Sequence, residues 1–431
     1  MAMRLCIFWA CRSEVYVEEG PLDSMSSAVI RALALVLLGL SALLAGCGTF
    51  SSRLVLDPGP AVGRLRHGSS PREEVDRLAR PFIQSGEVYG MAVGVLTPDG
   101  ATMTSGYGRT GRLGERDLPR GDTIFQIGSV SKLFVAALLA QLVADGTLSY
   151  DDTVRGILPA GVPLGDEIGK VSLLELVTNT GGLPRQPYCL RQLKDFTAFL
   201  FTGRNLYAYI DKPFLYRYLH ETDVRPREKR QYAYSNIGYG LLAHLIEVKT
   251  GYGIEELLQG RICRPLGLRD TTFFLNAEQK GRLAVGHAGI QPRFLRRGHP
   301  IQPWDMGEIM RPSGCLYSTV DDLLIFARAN LGVLHHPLEP VLASTHVARL
   351  SQPGEEICAG WLIEDLRDYG LKVTYKQGVV AGYSGYIGLE PRTHVAVVVL
   401  YNTFSWDDKI GHNLILRLSR GLSPPGAAAS R

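Results

Sequence analysis

The chain has 431 residues, 45% of them hydrophobic and 20% charged, with a formal net charge of +4 at pH 7. This is a globular composition, long enough for a large core or two lobes, and it excludes a disordered or low-complexity class. The arginines are dispersed instead of gathered in a stripe with interleaved aromatics, so no nucleic-acid partner is expected.

Near the start, Glu14, Glu18, Glu19 and Asp23 make residues 1–24 too acidic to open an export signal. The text changes at Met25: Arg31 precedes an apolar run over 32–44, which is short for a bilayer span and suits a signal-peptide core. The run ends in Leu44-Ala45-Gly46-Cys47, which resembles a bacterial lipobox. Translation is therefore expected to start at Met25, with Cys47 lipidated as the mature N-terminus and the membrane a partner through that lipid. Gly48 after the cysteine resembles lipoproteins sent to the outer membrane, facing the periplasm. Residues 48–70 are rich in Gly, Pro, Ser and Arg without a helical period and read as a flexible tether; 422–431 reads as a disordered tail.

A helical pattern covers 71–84. Two strand-like runs, 89–96 and 101–108, flank Thr97-Pro98-Asp99-Gly100, where proline presets one φ and glycine accepts a positive one, so a hairpin is predicted. In 125–140, FQIGSVSKLFVAALLA, the apolar lead-in ends at Gly128 and a helix is predicted to open at Ser129. Lys132, one turn on, shares the face of Ser129, at the positive end of the helix dipole. A serine hydroxyl needs such a base to attack at neutral pH, and a lysine can act as one only if burial lowers its pKa. The neighbours Leu133, Phe134, Val135 and Ala136 supply that burial.

Helical text continues to about 330, with apolar spacing at Leu138, Leu142 and Val143, again over 237–249 and over 319–330. Between them, 186–230 carries many aromatic and basic residues, read as the core of a helical lobe or as a substrate-lining insertion. After 355 come strands at 357–363, 371–375, 384–389 and 394–401, then a helix over 407–418. The order predicts an α+β fold: one antiparallel sheet built from both chain ends and flanked by helices, about 71–120 and 355–421, with a helical lobe of about 121–354 inserted.

Of seven cysteines, Cys6 and Cys11 precede Met25 and Cys47 is the expected lipid site. Cys189, Cys263, Cys315 and Cys358 allow three pairings, among which spacing does not choose. No histidine falls in a metal-ligand pattern, so neither metal nor cofactor is expected.

Three short motifs recur in order: Ser129-x-x-Lys132, Tyr234-Ser235-Asn236, and Tyr383-Ser384-Gly385. With 122–159 (DTIFQIGSVSKLFVAALLAQLVADGTLSYDDTVRGILP), 173–184 (LLELVTNTGGLP), 232–251, 264–273 and 311–327, they resemble the β-lactamase-related serine hydrolases. That family includes class C β-lactamases, D-alanyl-D-alanine carboxypeptidases and family VIII esterases. The resemblance runs from about 75 to 420 and implies the β-lactamase/transpeptidase-like fold and an acyl-enzyme on Ser129. It further implies shared proton transfer by Lys132 and Tyr234, with Asn236 holding Lys132 or a substrate amide. The oxyanion hole would be the N–H groups of Ser129 and Tyr386, and Tyr383, Ser384 and Gly385 would line the substrate. Asn179 departs from the family's usual His, and Tyr383 stands where a cation usually attracts the substrate carboxylate. A phenol carries no charge, so the leading expectation is hydrolysis of an ester or amide in a small molecule or peptide. The alternatives are a β-lactamase or D-alanyl-D-alanine carboxypeptidase, and a penicillin-binding protein that is acylated without turnover.

Overall fold

In the computed structural model, residues 70–112, 117–405 and 409–421 are described. The proposed signal, Cys47, the tether up to residue 69 and the tail 422–431 lie outside them.

Twelve strands are present among the described residues: β1 Gly90–Leu96, β2 Thr102–Gly108, β3 Phe125–Gln126, β4 Gly286–His287, β5 Pro300–Ile301, β6 Tyr317–Ser318, β7 Leu350–Gln352, β8 Glu355–Ile357, β9 Leu362–Leu366, β10 Leu371–Val380, β11 Tyr383–Glu390 and β12 Val395–Tyr401. Eight make one antiparallel sheet in the order β2-β1-β12-β11-β10-β9-β8-β7. The predicted hairpin forms, with Gly100 at φ +83° in its turn and Met91 opposite Tyr107. β1 then pairs with β12, Met91 opposite Tyr401, so the two chain ends close one sheet as expected.

The inner strands β1, β11 and β12 are buried along their whole length, which explains the unbroken apolar text of β1 and β12. Both sheet faces are covered. Gly94 and Gly388 stand opposite Val398 and Val397 of β12 and so point to opposite sides. A Cβ on Gly94 would meet Val320 and Leu324 of the helix Val320–Asn330, whereas one on Gly388 would meet Ile415 of the last helix, Lys409–Gly421.

Among the longer helices, we label α1 Pro71–Gln84, α2 Ser131–Ala144, α3 Leu190–Thr202, α4 Lys212–Glu221, α5 Asn236–Thr250, α6 Val320–Asn330 and α7 Lys409–Gly421. Helix α2 is buried from Ser131 to Ala140 and again at Leu142, a core helix with no solvent face. Phe134 stacks on Phe326 of α6 at 4.3 Å between centroids. Ser235 caps α5 by accepting from the Gly238 N–H at 2.8 Å, and Gly251 ends it in the left-handed conformation.

Two boundaries that bear on the site differ from expectation. The helix opens at Ser131, not Ser129; residues Gly128–Val130 form a tighter 3₁₀ turn, with Gly128 at φ +54°. The strand predicted over 371–375 runs on to Val380. The predicted strand 357–363 is broken by a turn at Gly360, φ +82°, whose Cβ would lie 3.1 Å from that of Ala136. Cys189, Cys263, Cys315 and Cys358 are all free thiols.

Candidate active site

Ser129 sits in the 3₁₀ turn that feeds α2, where its side chain stays partly exposed while Lys132 is fully buried. The Lys132 ammonium donates to Ser129 Oγ at 3.2 Å, to Asn236 Oδ1 at 2.9 Å and to the Ser313 carbonyl at 2.5 Å. When protonated, its three N–H donors match these three acceptors. Burial, reinforced by the positive charge of Arg185, drives the Lys132 pKa well below its usual value.

Tyr234 approaches from the loop before α5, and its hydroxyl donates to Ser129 Oγ at 2.6 Å. That loop is held by Asn179, whose φ of 57° asparagine tolerates better than most residues. Asn179 Oδ1 accepts from the Ser235 N–H at 3.0 Å and its carbonyl from the Ala233 N–H at 2.9 Å. The departure from the family's usual residue therefore has a structural role here. Behind Asn236, its Nδ2 donates to the Tyr207 hydroxyl at 3.5 Å, and Tyr207 donates to Gln186 Oε1 at 2.9 Å. The aromatic-rich segment thus supplies both lobe core and part of the site wall.

The third motif needs correcting. Tyr383 is fully buried and its hydroxyl donates to the Ala284 carbonyl at 2.8 Å. Ser384 Oγ donates to the Thr403 carbonyl at 2.8 Å. Gly385 backs the serine turn, its Cβ position 3.4 Å from the Ile127 carbonyl oxygen, and contributes no side chain. Tyr386 stands in an interior strand between Gln377 and Val399, so its backbone belongs to the sheet ladder, and its hydroxyl meets His412 Nδ1 at 2.9 Å. The hydroxyls of Tyr383, Ser384 and Tyr386 are thus all bonded away from Ser129.

The neighbouring strand occupies that place. A Cβ on Gly378 would lie 2.2 Å from the Ile127 carbonyl oxygen and 2.5 Å from the Ser129 amide nitrogen. One on Gly128 would lie 2.5 Å from the Val379 nitrogen. Pairing of β9 with β10 ends at Leu362 opposite Tyr375, so beyond that point no strand among the described residues covers this edge of β10. Two residues before Gly378, the Lys376 ammonium lies 5.2 Å from the Tyr234 ring centroid. It is buried and has no hydrogen-bond partner among the described residues. Burial lowers its pKa, reinforced by the charges of Lys132 and Arg185 and opposed by Tyr234 and the Glu355 carboxylate. The signal that could have located it is Lys376-Gln377-Gly378 itself, a cation before a glycine at the end of a strand.

Arg185 completes the ring, its guanidinium 5.0 Å from the Tyr234 centroid, as is Lys132. Two other arginines are engaged elsewhere: Arg230 with Glu175 at 2.9 Å, and Arg311 with Asp305 at 2.8 Å.

A serine hydroxyl between a desolvated amine and a phenol, on this sheet-and-helix scaffold, defines a serine hydrolase of the acyl-transfer kind. Residues 75–419 match the family described as Beta-lactamase, and the chain belongs to that family. It is 27% identical over 323 residues to a β-lactamase of Pseudomonas fluorescens, covering 74% of this chain and 80% of that one. It is 25% identical over 344 residues to the D-alanyl-D-alanine-carboxypeptidase/endopeptidase AmpH of Escherichia coli K12, covering 76% of this chain and 82% of that one. The fold matches a class C β-lactamase from Rhodobacter sphaeroides with a TM-score of 0.66 at 22% identity, over 81% of this chain and 98% of the other. A D-alanine carboxypeptidase from Burkholderia cenocepacia matches at 0.65 and 23%, with the same coverage. The fold is the β-lactamase/transpeptidase-like one.

Proposed function

We propose that this serine hydrolase acylates Ser129 with amide substrates that carry a carboxylate beside the scissile carbonyl, namely β-lactams or peptides ending in a D-amino acid. The observation that carries this reading is Lys376, a buried ammonium without a hydrogen-bond partner among the described residues, set against Tyr234. A buried cation is stabilised by an anion, and a substrate carboxylate supplies it. Sequence alone favoured an ester or amide without a carboxylate because Tyr383 is uncharged; Lys376 is the cation we put in its place.

In the proposed sequence, the Lys132–Tyr234 pair takes the Ser129 proton as Oγ attacks the carbonyl carbon. The two groups titrate as a unit, so the proton is assigned to the pair. The oxyanion is held by the N–H groups of Ser129 and Val379, the latter on the open edge of β10. Collapse breaks the C–N bond, the pair returns the proton to the leaving amine, and water deacylates the enzyme by the same route. Supporting this are the 2.6 Å and 3.2 Å contacts to Ser129 Oγ. The lipobox-like Leu44-Ala45-Gly46-Cys47 supports a lipid-anchored location in the bacterial envelope, probed below.

Intact-protein mass spectrometry with a penicillin, a fluorophosphonate and a p-nitrophenyl ester tests the reading. A penicilloyl adduct on Ser129, absent in Ser129→Ala, is expected. An adduct with the fluorophosphonate alone overturns the carboxylate preference while keeping the nucleophile, and adducts that persist in Ser129→Ala overturn both.

A further inference from the structure

Helix α3 presents an outward stripe at i, i+4, i+7 and i+11: Leu190, Lys194, Thr197 and Phe201, all exposed, with exposed Leu193 beside it. Leu190 is 87% and Phe201 55% exposed. Phe201 stacks on Phe294 at 4.5 Å between centroids, and the Phe294 N–H donates to the Leu200 carbonyl at 3.0 Å. The stripe therefore continues into the 290–297 segment, where Ile290 is also exposed.

The charges on this face are one-sided. Arg204, Arg293, Arg296 and Arg297 are exposed and have no ion-pair partner among the described residues. No acidic residue occurs between Gly286 and Ile301. Asp195 on α3 is already paired with Arg191 at 2.9 Å.

We propose that this face docks on an anionic phospholipid membrane, with Leu190, Phe201 and Phe294 entering the headgroup layer and the four arginines meeting lipid phosphates. Shallow apolar side chains ringed by unpaired arginines match a headgroup layer, which is apolar beneath and anionic above. The proposal goes beyond the catalytic reading and is independent of Cys47. A path of contacts links α3 to the catalytic site: Phe199 packs on Trp304 at 5.5 Å, Trp304 on Tyr207 at 6.2 Å, and Tyr207 reaches Asn236.

Hydrogen–deuterium exchange on the full chain tests this with vesicles of equal parts phosphatidylglycerol and phosphatidylcholine, against phosphatidylcholine alone. Amide protection confined to 190–204 and 289–298 is expected with the anionic vesicles only. The triple variant Arg293→Glu, Arg296→Glu, Arg297→Glu should weaken binding through this face by roughly 100-fold or more, and the pair Phe201→Ser, Phe294→Ser should also lose protection. The arginine variant should melt at the parental temperature, and the phenylalanine pair, which loses only the Phe201–Phe294 stack outside the core, slightly below it. Vesicle binding without protection of these segments overturns the proposal, as does protection unaffected by either variant set. Equal protection by soluble polyphosphate, insensitive to the phenylalanine changes, would replace the membrane with a polyanion.

Discussion

Gly378 and Ser129 are in backbone contact: a Cβ on the glycine would lie 2.5 Å from the serine amide nitrogen and 2.2 Å from the carbonyl oxygen of Ile127. Both obstructing atoms are main chain and cannot swing aside. Gly378→Ala should therefore push the serine turn away from β10, disturbing the proposed oxyanion donors. Acylation is expected to fall by on the order of 10²-fold, the scale of losing one oxyanion donor. Overpacking of this kind also costs about 1–3 kcal/mol. Stopped-flow acylation with a chromogenic cephalosporin and a thermal melt together check it; a variant with parental rate and melting temperature would remove β10 from the site.

Tyr234 and Lys132 both donate to Ser129 Oγ and act on the same proton transfer, so their contributions should not add. Ser129→Ala, Lys132→Ala and Tyr234→Phe are each expected to reduce turnover on the order of 10³-fold or more, with double variants scarcely worse. Steady-state kinetics of the singles and doubles decide this. Multiplicative losses would mean that the three act separately.

How much of this was legible from sequence depends on how local each feature is. Ser129 and Lys132 are three residues apart on one turn, and Tyr234 and Asn236 are fixed by the cap that Ser235 makes, so spacing brings out both pairs. The sheet closed by both termini follows from apolar runs at the two ends of the chain, and β12 carries one of them in full. Lys376 was hidden for a different reason. Its cationic side chain is buried inside a strand, where apolar text is the rule, so the strand seemed to end at Tyr375. Tyr383-Ser384-Gly385 then supplied a competing Ser-Gly pair, and only the packing of Gly378 against Ile127 and Ser129 separates the two. Nor could composition show that Asn179 adopts a positive φ.

The pH dependence should respond to Arg185. Burial is the main cause of the low Lys132 pKa and Arg185 the second. A lower pKa keeps the amine neutral, and able to accept a proton, down to a lower pH. Arg185→Gln removes a positive charge, which raises the Lys132 pKa and shifts the acid limb of kcat/KM to higher pH. A pH–rate profile on one neutral substrate reads the direction. An unmoved limb, or one displaced to lower pH, would show that Arg185 does not act on Lys132.

The anchor is separable from the catalytic fold. Cys47→Ala should release the protein into the soluble periplasmic fraction, and deleting residues 1–24 should leave export unchanged. Cell fractionation with immunoblotting measures both. Equal membrane retention of the Cys47→Ala protein would count against lipidation, and the exchange experiment above would then show whether α3 is responsible.

The sharpest test of substrate class falls on Lys376. If its ammonium meets the substrate carboxylate, Lys376→Met removes one charge-assisted hydrogen bond, about 1.5–3 kcal/mol, equivalent to roughly 10- to 100-fold in acylation. The loss should appear for penicillins and for peptides ending in D-alanine, and hardly at all for a neutral p-nitrophenyl ester. Both substrate types must be compared in both proteins, because a change in Lys132 or in folding would move their kcat/KM values together. Tyr383→Phe provides the contrast: it deletes only the hydrogen bond to the Ala284 carbonyl. It should cost about 1 kcal/mol of stability and leave the ratio of the two substrates unchanged. A parallel fall for ester and penicillin in Lys376→Met would assign the lysine to the electrostatics of Tyr234. A selective change in Tyr383→Phe would return carboxylate recognition to the strand where sequence alone had placed it.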